Sequence, residues 1–356
     1  MAKNLVLCCD GTWDSADQEK KNGELCVSNV LKIAVRMKKR TANGNLQIVY
    51  YDNGVGSGNA LDKIEGGAFG EGLDANVNDV YRFLIANYEP GDAIHLIGFS
   101  RGAYTARSIA GMIRRCGILR RECVKQYPEA KALYRSGVKS SDPTAVKFRK
   151  DFAIEDDTAI QCVAVWDTVG ALGIPVRGFA GFNEEKYGFL DTTLSSAVKF
   201  AFHALSVDER RGPFKPTLWV SQPVAGQTVQ QAWFAGVHSD IGGGYPEHGL
   251  SDLTLNWIMD CLRTAGAETD PAVVAALGTK PDPMQAIHNS LKGIFRLDTF
   301  DRQIGATQFK TEYFHQSLVQ KWKAQPAYRP KSLKAHEARL QALAAGPLPD
   351  AIYPVQ

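Results

Sequence analysis

A doubly wound, mostly parallel α/β sheet is the fold this sequence predicts, and three observations predict it. Short apolar runs at 4–9, 46–51, 93–97 and 160–166 read as buried parallel strands, because they lack the polar alternation of a strand with one wet face. Helical apolar spacing separates them, and strand, helix, strand, helix, strand, helix is the order that right-handed crossovers wind into a parallel sheet. The chain has 356 residues and is 44% hydrophobic, enough to fill one sizeable core. The expected organisation is one domain over 1–325, carrying insertions at about 119–157 and 171–215, and a peripheral C-terminal tail over 326–356.

Taken in order, Asn4–Cys9 is a short buried strand that runs into Asp10-Gly11-Thr12-Trp13-Asp14, a turn dense in hydrogen-bonding groups. Ser28 to Lys39 places Val30, Ile33, Ala34 and Met37 on one side of a helix. Leu46–Tyr51 is the next strand. The loop after it, 52–58, is glycine-rich but lacks the Gly-Lys-Ser/Thr ending of a phosphate cradle, which argues against nucleotide binding. A helix from Asn76 to Tyr88 leads to the strand Ala93–Ile97. Residues 119–157 are strongly charged, with Pro128 and Pro143 as punctuation, and read as surface helices. The strand Ile160–Trp166 then ends in Asp167-Thr168-Val169-Gly170.

Residues 171–215 are glycine-rich and aromatic at first, and the spacing predicts a helix over 193–206. Such an insertion between late strands is where lids and lipid-contacting surfaces sit. Thr228–Val237 reads as the last long core strand, and it runs into His238-Ser239-Asp240-Ile241-Gly242-Gly243-Gly244-Tyr245. A helix over 251–266 follows, starting at a Ser/Asp cap. The stretch 267–310 is loose, and Tyr313–Val319 puts His315 just ahead of a short helix.

Within this frame, Gly98-Phe99-Ser100-Arg101-Gly102 is a G-x-S-x-G pentapeptide set between a strand and the helix Ala103–Ile113. The pentapeptide alone arises often by chance, and a Gly/Ser turn need not carry chemistry. The strand–turn–helix context makes it the nucleophile elbow of an α/β-hydrolase-like sheet. Both glycines then have a steric purpose, since the sharp turn at Ser100 leaves no room for a Cβ on either flank.

Composition narrows the function classes. Lys and Arg number 41 against 38 Asp and Glu, a net charge of +3, too small and too scattered to argue for nucleic acid. The basic clusters at 36–40, 114–115 and 120–121 read as solvated helix ends, or as points that could touch anionic head groups. Seven cysteines without regular spacing, two of them adjacent at Cys8 and Cys9, do not make a disulfide framework and point to a reducing compartment. The N-terminal apolar run is too short for a signal peptide, and no stretch is long enough to span a membrane. The expectation is a soluble product made in the cytoplasm, with export by a route that reads no cleavable signal left open.

A serine needs a base within hydrogen-bond reach and a carboxylate to orient that base, and in this class of sheet the chain order is serine, acid, histidine. His315, beyond the Asp240 loop and ahead of a helix, is the base that fits this order best, with Asp240 as its acid. His238 with Asp167 is the competing pair, and Asp10 is a further candidate acid. Oxyanion donors are expected from the amides of Arg101 and of Gly11 or Thr12. His203, among apolar neighbours, reads as a structural histidine. Asp10, Asp167 and Asp240 all lie at strand ends and could instead ligate a hard cation such as Ca²⁺ or Mg²⁺. The leading expectation involves no metal and no cofactor.

Five segments in order, Asp10–Trp13, Gly98–Ala103, Trp166–Gly170, Ala204–Arg211 and His238–Tyr245, together resemble the α/β-hydrolase family of unknown function that includes the type VI secretion phospholipase effectors. The resemblance runs from about residue 3 to 320. It implies an α/β-hydrolase fold, Ser100 as nucleophile, and Asp240 and His315 as the matching acid and base. The function expected is hydrolysis of carboxylic esters, of lipids or phospholipids, through an acyl-enzyme, with membrane-surface contact through 171–215. The alternative is a non-catalytic hydrolase-fold module that binds a lipid or a protein partner.

Overall fold

In the computed structural model, described for residues 2–11, 26–54, 68–169 and 194–356, eight strands form one sheet in the order β2-β1-β3-β4-β5-β6-β7-β8. The strands are β1 (Asn4–Cys9), β2 (Gln47–Asp52), β3 (Ala93–Phe99), β4 (Ile160–Trp166), β5 (Val198–Ser206), β6 (Thr228–Phe234), β7 (Glu312–His315) and β8 (Ile352–Pro354). All neighbours pair in parallel except β8, which closes the edge antiparallel to β7. The predicted fold class holds: this is an α/β-hydrolase-like, mostly parallel sheet.

Both faces are covered, as a parallel sheet requires. In β1, Leu5, Leu7 and Cys9 face one core and Val6 and Cys8 the other. The first core is filled by α2 (Ala68–Asn87) and α3 (Arg101–Cys116), the second by α1 (Asn29–Arg36) and α7 (Gly249–Thr264), which the short α8 (Pro271–Leu277) follows. Leaving β1, the chain moves outward to β2 by way of α1 and then back across to β3 by way of α2. The crevice between the carboxyl ends of β1 and β3 is therefore a topological switch point, where open α/β sheets bind ligands.

Three expectations on secondary structure need correction or completion. The helix expected over 193–206 is not there: 198–206 is β5, hydrogen-bonded between β4 and β6 in the middle of the sheet. Its Phe200-Ala201-Phe202-His203-Ala204-Leu205 run is apolar apart from His203, and short apolar runs carry no period that separates a buried strand from a buried helix. The tail expected over 326–356 is part of the body. It contributes α10 (Glu337–Ala345) and β8, and Leu333, Leu340, Tyr353 and Val355 are buried in a third core against Trp233, Phe314 and Leu318. The surface helices expected within 119–157 are present as α4 (Tyr127–Arg135) and α5 (Pro143–Phe152), with Pro128 and Pro143 in their first turns. None of the seven cysteines forms a disulfide. Among the described residues, no helix is long and apolar enough to cross a membrane.

Candidate active site

Ser100 links β3 to α3 at φ 57°, ψ −119°, a backbone conformation that costs a non-glycine residue of the order of 1–3 kcal/mol. The flanking glycines make that turn possible. A Cβ on Gly98 would lie 2.4 Å from the Gly102 carbonyl oxygen, and one on Gly102 would lie 2.1 Å from the Cys9 carbonyl oxygen. The elbow is thus wedged directly against the end of β1. Asp167, just past β4, is a second non-glycine residue at positive φ (34°). Two of the three such residues among those described meet at one place in the fold, and backbone strain concentrates at functional sites.

The place is defined by three side chains. His238 Nε2 lies 2.8 Å from Ser100 Oγ, and His238 Nδ1 lies 2.7 Å from Asp167 Oδ2. All three residues are buried. His238 is carried by a short helix, α6 (His238–Gly242), at the carboxyl end of β6. Its ring is fixed between Phe99 (centroids 4.6 Å apart) and Phe214 (4.9 Å), and its amide donates to Glu209 Oε2 at 3.2 Å. Ser100, Asp167 and His238 therefore hang from the carboxyl ends of β3, β4 and β6, with β5 between the last two.

Asp167 is held on all sides. Arg302 donates from Nη1 to Oδ1 at 2.8 Å and from Nη2 to Oδ2 at 2.9 Å, and the Ser206 amide donates to Oδ1 at 3.2 Å. The next residue's amide, Thr168, donates to His203 Nε2 at 3.0 Å, so His203 fixes the Asp167 loop, and burial lowers its pKa to about 3. Burial works against a charge on Asp167, but the Arg302 guanidinium and His238 outweigh it and hold the carboxyl well below the usual carboxylate range. For His238 burial is the larger influence and lowers its pKa, with Asp167 opposing that shift.

The pair expected first from the sequence is not brought to Ser100. His315 ends β7 and caps α9 (Gln316–Ala324): its Nδ1 accepts from the Ser317 amide at 3.2 Å and lies 2.7 Å from Ser317 Oγ, while its ring stacks on Phe234 at 4.2 Å. Asp240 bonds His288 Nδ1 at 2.6 Å and accepts from the amides of His288 and Val237, which ties α6 to the loop before β7. The competing pair of the sequence reading, His238 with Asp167, is the one at hydrogen-bond distance of the elbow. It obeys the same serine–acid–histidine chain order, so order alone could not separate the two pairs.

Asp10 is a structural node beside the elbow. Its carboxylate accepts from Ser28 Oγ (2.5 Å), Tyr51 Oη (2.7 Å) and the Gly11 amide (2.8 Å), and burial outweighs these bonds to raise its pKa to about 6. The Gly11 amide, expected to hold an oxyanion, is thus directed at Asp10; Thr12 lies outside the described residues, and Arg101 opens α3. Asp10, Asp167 and Asp240, the trio of the cation-site idea, each sit in a separate network, and among the described residues no three metal-ligating side chains converge. Much of the expected lid, 170–193, also lies outside the described residues.

Two site residues were not singled out from the sequence. Arg302 lies in the irregular stretch before β7, where nothing in its neighbours announces a role. Glu209 stood in a quoted motif but without an assignment; it is fully buried, pairs with Arg211 through both oxygens at 2.9 Å, and accepts the His238 amide. An acidic residue inside a motif otherwise made of turn and strand residues was the available signal.

An α/β-hydrolase-like sheet bearing a serine, a histidine and an aspartate in hydrogen-bonded series at its switch-point end is the class this fold and geometry define. The chain belongs to the family described as "T6SS, Phospholipase effector Tle1-like, catalytic domain", whose model matches residues 3–261. It is 30% identical over 247 residues to the uncharacterized protein YEL023C of Saccharomyces cerevisiae, a match that takes in 62% of this chain and 33% of the yeast protein. Among solved structures it is similar to a Tle1 effector bound to the VgrG spike of the type VI secretion system, with 20% identity, TM-score 0.39, and 68% of this chain and 51% of that one covered. Another is an uncharacterized protein from Pseudomonas aeruginosa, with 15% identity, TM-score 0.46, and 98% and 60% coverage. The chain thus spans about a third of the curated relative and between half and three fifths of the two solved chains.

Proposed function

We propose that this protein hydrolyses carboxylic esters of lipids, phospholipids included, with Ser100 as nucleophile, His238 as general base and Asp167 as the acid that orients it. The observation that carries the reading is the unbroken series Ser100 Oγ, His238 Nε2, His238 Nδ1, Asp167 Oδ2, with contacts of 2.8 and 2.7 Å on a strained elbow. A neutral His238 accepts the Ser100 proton on Nε2 as Oγ attacks the ester carbonyl. The imidazolium, held by Asp167, returns that proton to the departing alkoxide, leaving an acyl-Ser100 ester. Water then repeats the cycle, losing its proton to His238 and releasing the fatty acid. Arg101 opens a 16-residue helix, where backbone amides and the helix dipole favour an oxyanion, so its amide is the donor that follows the nucleophile. Family membership supports a lipid ester as the substrate class.

The test is intact-mass spectrometry after fluorophosphonate treatment of wild type and Ser100→Ala, followed by a panel of phospholipids, triacylglycerols and short activated esters. One adduct on wild type and none on the variant is the expected result, with turnover lost in the variant. An adduct on neither protein would overturn the assignment and favour a binding module.

A further inference from the structure

We propose that Arg302 is a positioning residue of this site, which grips the Asp167 carboxylate by both oxygens, sharing Oδ2 with His238, and so sets both the orientation and the basicity of the imidazole. The inference rests on the reading of Ser100, His238 and Asp167 given above.

The geometry is that of a built contact. Both side chains are fully buried, and the two guanidinium nitrogens meet the two carboxylate oxygens at 2.8 and 2.9 Å, a fork-to-fork pairing that leaves the carboxylate one orientation. The guanidinium is itself oriented, since Nη2 also donates to the Phe214 carbonyl at 2.9 Å and Nε to the Glu209 carbonyl at 3.3 Å. Phe214 packs its ring on His238, and Glu209 accepts the His238 amide, so Arg302 ties together three residues that touch the base: Asp167, Phe214 and Glu209. It reaches the site from beyond residue 261, outside the stretch the family model matches.

The electrostatic consequence follows from charge and distance. A buried carboxylate without a counter-ion would take up a proton, and a protonated Asp167 could not hold an imidazolium. Arg302 keeps it ionised, and the same positive charge opposes protonation of His238 across the shared Oδ2. The other groups facing the pair are Ser100, the Glu209–Arg211 ion pair, the Ser206 amide, His203 through Thr168, and Asp240 on the same helix as His238, which is engaged by His288. Arg302 is the one cation among these that touches Asp167.

The experiment is the pH profile of kcat/KM for p-nitrophenyl butyrate on the full chain, for wild type, Arg302→Met, Arg302→Lys, Asp167→Asn and Asp167→Asn with Arg302→Met. With Arg302→Met the acidic limb should move up by on the order of one pH unit, and kcat/KM at its optimum should fall about 10–100-fold. Arg302→Lys keeps the charge and loses the fork, so the rate should fall while the limb stays at the wild-type position; this variant decides the matter if Arg302→Met does not fold. In the Asp167→Asn background, Arg302→Met should move the limb by less than it does in wild type, because only the direct effect of the Arg302 charge on His238 is then lost. Fluorophosphonate labelling at Ser100 in wild type, combined with an unmoved limb and unchanged kcat/KM in both Arg302 variants, would overturn the role of Arg302 and leave the serine reading standing. Absence of labelling in wild type would overturn the serine reading and this inference with it.

Discussion

Phe99, the last residue of β3, and His238, the first residue of α6, lie ring against ring with centroids 4.6 Å apart. The residue before Ser100 is therefore also a wall for His238, and the proposed nucleophile and base are registered by one contact. The same ring explains a glycine: a Cβ on Gly242 would lie 2.1 Å from Phe99 Cε2. Gly242 thus lets α6 close onto the elbow strand.

The two candidate bases are separable by mutation. His238→Ala should lower kcat/KM roughly 10⁴-fold or more, as removal of a base that acts as a unit with its serine does. His315→Ala should leave kcat/KM unchanged and cost about 0.5–2 kcal/mol of stability, because what it removes is the cap of α9. Ester hydrolysis and urea unfolding on both variants check this. Loss of activity in His315→Ala, with the fold intact, would reverse the assignment.

Activity should persist on the acid side of an ordinary histidine. His238 must be neutral to accept the serine proton, and burial lowers its pKa below the ordinary 6.5, with Asp167 opposing. As the pH falls through that lowered value the base is lost, so the acidic limb of kcat/KM belongs below 6.5. A limb at or above that value, measured on a soluble ester, would contradict this environment for the imidazole.

Neither elbow glycine should tolerate even a methyl group. Gly102→Ala sets a Cβ against the Cys9 carbonyl, and Gly98→Ala sets one against Gly102; both neighbours are backbone in the sheet and its crossover. Overpacking of this kind costs about 1–3 kcal/mol or more. Both variants should melt earlier and react slowly with fluorophosphonate, whereas Gly137→Ala, where a Cβ meets nothing within 4 Å, should keep wild-type labelling and be weakened only by its positive φ.

The C-terminal segment should behave as core. Leu340 is fully buried in the third cluster, so Leu340→Ala should cost about 2–5 kcal/mol. A chain cut after residue 325 loses β8 and exposes the edge of β7, which ends in His315. It should be insoluble or melt far below the full chain in a thermal scan. A truncated chain with an unchanged midpoint would restore the picture of a peripheral tail.

Local signals carried much of this protein. Strand punctuation, the glycine pair around Ser100 and helical spacing fixed β1 to β4, the elbow and its helix, because each is decided by residues near in sequence. The carboxyl-end motifs at Asp10, Asp167 and His238 were legible for the same reason: they end apolar runs. The pairing of Ser100 with His238 rather than His315 was not, since both histidines follow a plausible acid in the right chain order. The sheet order lays β3, β4, β5 and β6 side by side and so brings Ser100, Asp167 and His238 within hydrogen-bond distance. The strand character of β5 likewise came from its neighbours, as a short, mostly apolar stretch such as Phe200–Leu205 has no period that excludes a helix. Arg302 lay beyond any local reading: its partner is 135 residues away, and a long flexible side chain finds its carboxylate only once the intervening elements have packed. Sequence determined which chemistry-bearing residues end the strands; only tertiary packing, through non-local sheet register and burial, decided which of them lie at hydrogen-bond distance of one another.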